Sequence, residues 1–308
     1  NINNSSFIGE VLDGDLYGSQ IKGTVKTFKD NNDYKIELKG NSEGPLSSIL
    51  RLANLNLVFD VEEESGNHYT NFYFTSPFNS SLELLGKNSN LELSTKIIGG
   101  NFNNKKTKLY FSDLYSSIEY DSTNGVKDGF ATININKLPV KFDIKKGKER
   151  GSFNTQIVAE EIFLAKRILS PFVLREEING SSKFNIKLTL PSFIKGQPLI
   201  DPEIEVLSNL EGISIDLPEP FTKSKDSRIN FKLTFRSSTK EPPLLGFKYG
   251  DLFRGKFKFQ NNITEGFVIA GKEKQSISIE DEKILLIGEL KKLDLSSLIS
   301  LGIFKGEG

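Results

Sequence analysis

Apolar and polar positions alternate along most of this 308-residue chain. Phe184, Ile186, Leu188 and Leu190 interleave with Lys183, Asn185, Lys187 and Thr189. Ile229, Phe231, Leu233 and Phe235 interleave with Asn230, Lys232 and Thr234. Shorter runs repeat the pattern at 34–38, 55–59 and 132–135, around Phe257 and Phe259, and around Ile277 and Ile279. Period two marks a strand with one buried and one solvated face. Purely parallel sheets, covered on both faces, read instead as continuous apolar runs. The pattern therefore predicts a mostly β protein whose sheet is mostly antiparallel. Asp13-Gly14, 30–33, Gly99-Gly100-Asn101, Asn124-Gly125, Lys145-Lys146-Gly147, Asn179-Gly180 and 260–262 read as the turns of a meander. A ribbon of about 15–18 strands, spaced roughly 4.8 Å apart, would run about 70–85 Å.

Helical spacing is confined to three places. At 45–52, Pro45 stands at a first helical position before Leu46, Ile49 and Leu50. At 160–169, Ile162, Phe163, Leu164, Ile168 and Leu169 precede Pro171, and 296–301 allows a third short turn. The first two stretches each lie between strands, which suggests a loosely recurring strand–helix–strand unit. So little helix cannot cover so many one-sided strands, and a sheet face must be buried against something. Either two sheets close on each other as a sandwich, the commoner solution, or one long antiparallel sheet curls into an apolar groove that takes lipid.

Composition narrows the chemistry. Lysine plus arginine and aspartate plus glutamate are 40 each, so no net field draws nucleic acid to the chain. Cysteine is absent, which removes disulfides, thiolate–metal sites and thiol nucleophiles and suits an oxidising compartment. The single histidine, His68, supports neither a triad nor a histidine metal cluster, and is expected at an exposed turn. Glu62-Glu63-Glu64-Ser65-Gly66 reads as a solvated hairpin tip. Asp201-Pro202-Glu203 and Glu280-Asp281-Glu282 read as solvated turns. No phosphate-binding glycine motif or nucleophile elbow is present. No enzyme, metal or cofactor is expected. Methionine is absent even at position 1, so the chain is expected to be a processed or excised piece. No apolar run reaches the roughly 20 residues that span a bilayer.

The C-terminal third carries a resemblance. Leu210 and Gly212 end the run Leu207-Ser208-Asn209-Leu210-Glu211-Gly212. Leu217-Pro218-Glu219-Pro220-Phe221-Thr222-Lys223 and an alternating strand follow. Farther on come Gly288, Leu290, Leu293, Asp294 and Leu295. Upstream, Asp113-Leu114-Tyr115-Ser116-Ser117-Ile118-Glu119-Tyr120, Gly125 and Leu138-Pro139-Val140 keep the same order. This ordered set resembles the YhdP branch of the AsmA-like family, related to TamB-type proteins, over about 82–301. Ser116 and Lys137 stand where glycines are usual, and no tryptophan follows Leu295.

The resemblance implies an internal segment, 1–308 with possible subdivisions 1–81 and 82–308, of one elongated β-groove. That groove would lie in the periplasm of a Gram-negative bacterium, in a protein anchored to the inner membrane by a segment missing from this chain. Its partners would be phospholipids moving between inner and outer membrane. Phe184, Ile186, Leu188, Leu190, Ile229, Phe231, Leu233, Phe235, Phe257, Phe259, Ile277 and Ile279 would line it. The alternative is a secreted β-sandwich module recognising carbohydrate or protein. The absence of Trp, and 24 Phe against 8 Tyr, suit an acyl lining better than sugar stacking.

Overall fold

The structure is a computed structural model that describes residues 8–30, 33–52, 61–78, 88–104, 109–149, 152–164, 177–191, 194, 200–236, 241–260, 263–271 and 284–289. The chain forms two compact units, 1–157 with 191–200, and 158–190 with 201–308. Among the described residues no helix is long and apolar enough to cross a membrane.

The first unit is an antiparallel meander. Its strands are β1 (Ile8–Leu16), β2 (Ser19–Asp30), β3 (Asp33–Pro45), β4 (Val61–Phe78), β5 (Asn90–Asn104), β6 (Leu109–Asp121), β7 (Gly125–Ile135) and β8 (Leu138–Glu149), each paired with the next. Side chains directly opposed across strands share a face. Val25, Leu38, Phe74 and Leu91 therefore form one cross-strand row, and Phe72, Leu93, Tyr120 and Val126 the next. Tyr17 and Gly18, then Asn136 and Lys137, make two-residue turns with positive φ at both positions, which matches the twist of the flanking strands. Asp121 closes the β6–β7 turn by accepting hydrogen bonds from the backbone N–H of Thr123 and Asn124 and from the Asn124 amide. Burial raises its pKa, but the hydrogen bonds from Asn124 and Thr123 outweigh this and hold it below the usual value.

Helix α1 (Leu46–Leu52) falls where the proline and the apolar spacing place it. Leu46 is buried, and Ser48 Oγ donates to the Tyr17 carbonyl at 2.7 Å, tying the helix to the β1–β2 turn.

Strand β9 (Ser152–Leu164) runs across the boundary between the units. The second unit continues with β10 (Ile178–Pro191), β11 (Glu203–Ser208), β12 (Ile213–Ile215), β13 (Phe231–Arg236), β14 (Leu244–Tyr249), β15 (Phe253–Gln260), β16 (Ile263–Ala270) and β17 (Ile284–Gly288). β10, β11, β13, β14, β15 and β16 pair antiparallel in that order, β12 folds back on the start of β10, and β17 joins β16 in parallel.

Several expectations are corrected. Residues 160–164 belong to β9, not to a helix; 165–169 lie outside the described residues. A short apolar run does not distinguish helix from strand by periodicity. Asp13-Gly14 and Gly99–Asn101 are not turns but bulged positions inside β1 and β5. Lys145–Gly147 and Asn179-Gly180 likewise lie inside β8 and β10. Glu62–Gly66 is a bulged stretch of β4 rather than a hairpin tip. Glu203 is not in a turn; it opens β11 and pairs with Arg236. His68 is not exposed: it is 1% accessible in β4, with Ser19 Oγ at 2.8 Å from Nε2 and Thr70 Oγ1 at 3.2 Å from Nδ1. The strand at 55–59, the turn at 296–301 and the 280–282 cluster lie outside the described residues.

Candidate functional site

The second unit organises the expected lining residues by register. Ile186, Val206, Leu233, Phe247, Gly255, Val268 and Leu286 oppose one another in a single row from β10 to β17. Leu188, Ile204, Phe235, Leu245, Phe257, Gly266 and Ile284 form a second row two residues along each strand. On the other side Ser208, Phe231, Tyr249, Phe253 and Ala270 form a third, with Phe184 at the same end of β10. At about 4.8 Å per strand this apolar face is roughly 30 Å wide.

Of the expected lining residues, Phe184, Ile186, Leu188, Leu190, Phe231, Leu233, Phe235, Phe257 and Phe259 sit at positions of this face. Ile229 precedes β13, its N–H bonded to the Asn209 carbonyl at 2.9 Å. Ile277 and Ile279 lie outside the described residues. Val206, Ile204, Leu245, Phe247, Val268, Ile284 and Leu286 complete the face and were not singled out from sequence. Their strands are short, and only cross-strand register reveals that they join one surface.

The opposite face of β10, β11 and β13 is charged. Glu205 pairs with Lys187 at 3.7 Å and Lys232 at 2.5 Å, and Arg236 with Glu203 at 2.5 Å. The Lys232 hydrogen bond outweighs burial and holds the Glu205 carboxyl below its usual pKa. Polar cross-strand pairs of this kind keep that face in water and the apolar residues on the other.

Exposure grades across the apolar face. Phe184 and Phe253 are 3% and 7% accessible, whereas Ile204 and Ile284, at the other margin, are 39% and 58% accessible. Phe259, one step farther out on β15, is 40% accessible; on β17 exposure does not follow the margin, since Leu286 of the middle row is 68% accessible.

The motif residues explain the covered margin. Leu210 turns the chain with positive φ, and Gly212 (φ 89°) lets it pass against the Ser181 carbonyl, where a Cβ would collide. Leu217, Pro218 and Pro220 then shape a loop with a cis Glu219–Pro220 peptide bond, which carries Phe221 onto Phe253, ring centroids 4.8 Å apart and 6° from parallel. Lys223 is buried, and its Nζ donates to the carbonyls of Ile213 (2.8 Å), Ser224 (3.0 Å) and Ser227 (2.7 Å). Three carbonyl acceptors satisfy an ammonium that burial would otherwise penalise; desolvation still draws its pKa below the usual lysine value. Gly288 (φ 118°) passes close to the Ala270 carbonyl at the end of β17. Leu290, Leu293, Asp294 and Leu295 lie outside the described residues.

Register, charge partition and loop together define an extended-sheet β protein. Its second unit presents a broad surface of Phe, Leu, Ile and Val. The profile of the family described as YhdP protein matches residues 81–307, most of the chain, and the chain belongs to that family. No curated protein and no solved structure matches it.

Proposed function

We propose that this chain is a non-catalytic lipid-carrying segment of a periplasmic protein that moves phospholipids between the inner and outer membranes. On this reading its apolar sheet faces curl into a groove along which acyl chains pass. The observation that carries the reading is the register-aligned apolar face of the second unit, half-buried in its middle rows and open at one margin. A contiguous apolar patch of a few hundred Å² on a soluble protein is often a functional surface. Hydrocarbon is the ligand that such a surface favours, at about 0.8 kcal/mol per buried CH₂. An even lining of Phe, Leu and Ile offers near-equivalent sites, which suits passage better than tight retention. Family membership supports the same reading.

The test is lipid co-purification with Leu233→Asp and Lys256→Asp. The first places an unpaired carboxylate in the middle of the apolar face, where desolvation opposes hydrocarbon. The second changes the charge of the other face, at an exposed position of β15. Phospholipid measured by mass spectrometry should fall severalfold in Leu233→Asp and stay near wild type in Lys256→Asp, with both proteins folded by circular dichroism. Equal loading of the two would count against the lipid reading.

A further inference from the structure

The two margins of the apolar face in the second unit differ in kind. At the margin of Phe231, Tyr249 and Phe253, the loop at 216–227 returns over the sheet. Phe221 stacks on Phe253, and Lys223 fastens the loop to the Ile213 carbonyl while bonding within it to the Ser224 and Ser227 carbonyls. The Tyr249 hydroxyl beneath is buried, with no hydrogen-bond partner among the described residues. At the opposite margin Ile204, Phe259 and Ile284 are open to solvent. From Phe231 to Phe235, the distance across the three rows, the strand rises about 13 Å.

We propose that phospholipid lies on this face tail-inward, with the methyl ends of the acyl chains at Phe231, Tyr249 and Phe253 and the glycerol and headgroup at the Ile204, Phe259 and Ile284 margin, which is the side of loading and release. The inference rests on the lipid-carrying function and adds its orientation. Methyl ends need no water, so a covered margin suits them. A headgroup carries a phosphate charge, which is costly to take out of water unless it is paired and fully hydrogen-bonded. At the covered margin the Ser208 hydroxyl already donates to the Lys183 carbonyl and accepts from the Leu210 N–H, which leaves one neutral hydroxyl: burial pushes the Tyr249 pKa up to about 12, so it remains protonated. The nearby ammonium of Lys223 is already committed to three carbonyls. One neutral donor does not offset the loss of a phosphate's hydration, so the headgroup stays at the open margin.

The chain has no tryptophan, so a single introduced one reports position. Phe231→Trp and Phe259→Trp would be loaded with phosphatidylethanolamine brominated either near the carboxyl end or near the methyl end of its acyl chains. Trp at 231 should lose more fluorescence to bromine near the methyl end, and Trp at 259 more to bromine near the carboxyl end. The reverse order, or the same order at both positions, would overturn the orientation while leaving lipid binding intact. No quenching at either position by either lipid would instead overturn the lipid-carrying function, and the orientation with it. If Phe231→Trp does not fold, fluorophores on Ser208→Cys and Ile204→Cys, in a chain without native cysteine, make the same comparison with the same deciding outcomes.

Discussion

His68 shows how a single residue departs from its compositional expectation. A lone histidine beside Gly66 and Asn67 reads as a turn residue, yet β4 runs straight through it and its ring joins a buried chain of hydroxyls, Ser19, Thr70 and Thr95. Hydroxyls donate or accept as needed, so they satisfy the neutral ring and would also accept from an imidazolium. Desolvation is therefore the main cost of protonation, and it lowers the His68 pKa; the nearby Glu43 carboxylate opposes it in part. Because the folded-state value lies below the ordinary 6.5, the unfolded chain binds more protons between the two. The stability that neutral His68 contributes is full above pH 6.5 and is lost as pH falls through the lowered folded value. Urea unfolding from pH 8 to pH 5 should show a steeper loss in wild type than in His68→Gln. Parallel curves would show that the buried ring does not drive the pH dependence.

At the scale of elements, alternation was the most legible signal. Lys183–Leu190 and Phe231–Phe235 are strands with the expected face apolar, because a half-solvated strand leaves its period in the chain. The punctuation was less legible. Gly14, Gly100 and Gly180 interrupt the pattern as turns would, but they serve bulges and close backbone approaches inside long strands. The parallel β16–β17 pair could not be read from sequence, since its partner is not the next strand of a hairpin.

Two departures from the family pattern gain a physical reading. Ser116, where a glycine is usual, is buried and donates to the Phe130 carbonyl at 3.1 Å. Lys137 holds φ 68° at the second position of the β7–β8 turn, a conformation that favours glycine. Relieving it should help: Lys137→Gly is expected to stabilise the chain by about 1 kcal/mol, raising the midpoint of thermal unfolding. An unchanged or lower midpoint would show that the lysine sits there without strain.

At the scale of the whole molecule, family membership and the register-aligned apolar face of the second unit are independent observations, and neither depends on a catalytic group. From sequence, the apolar side of β10 and β13 was visible. The breadth of the face was not, because it depends on register across β11, β14, β16 and β17, whose runs are too short to read alone. The closed margin was visible only as a motif: nothing in the chain announces that Lys223 turns inward to three carbonyls or that Phe221 covers Phe253. The most direct measurement is native mass spectrometry of the wild-type 308-residue chain, purified without detergent from cells that make phospholipid. The account expects adducts of phospholipid mass, which disappear on organic extraction and return when phosphatidylethanolamine is added back. A folded chain that carries no lipid after purification, and takes none up when it is supplied, would contradict it.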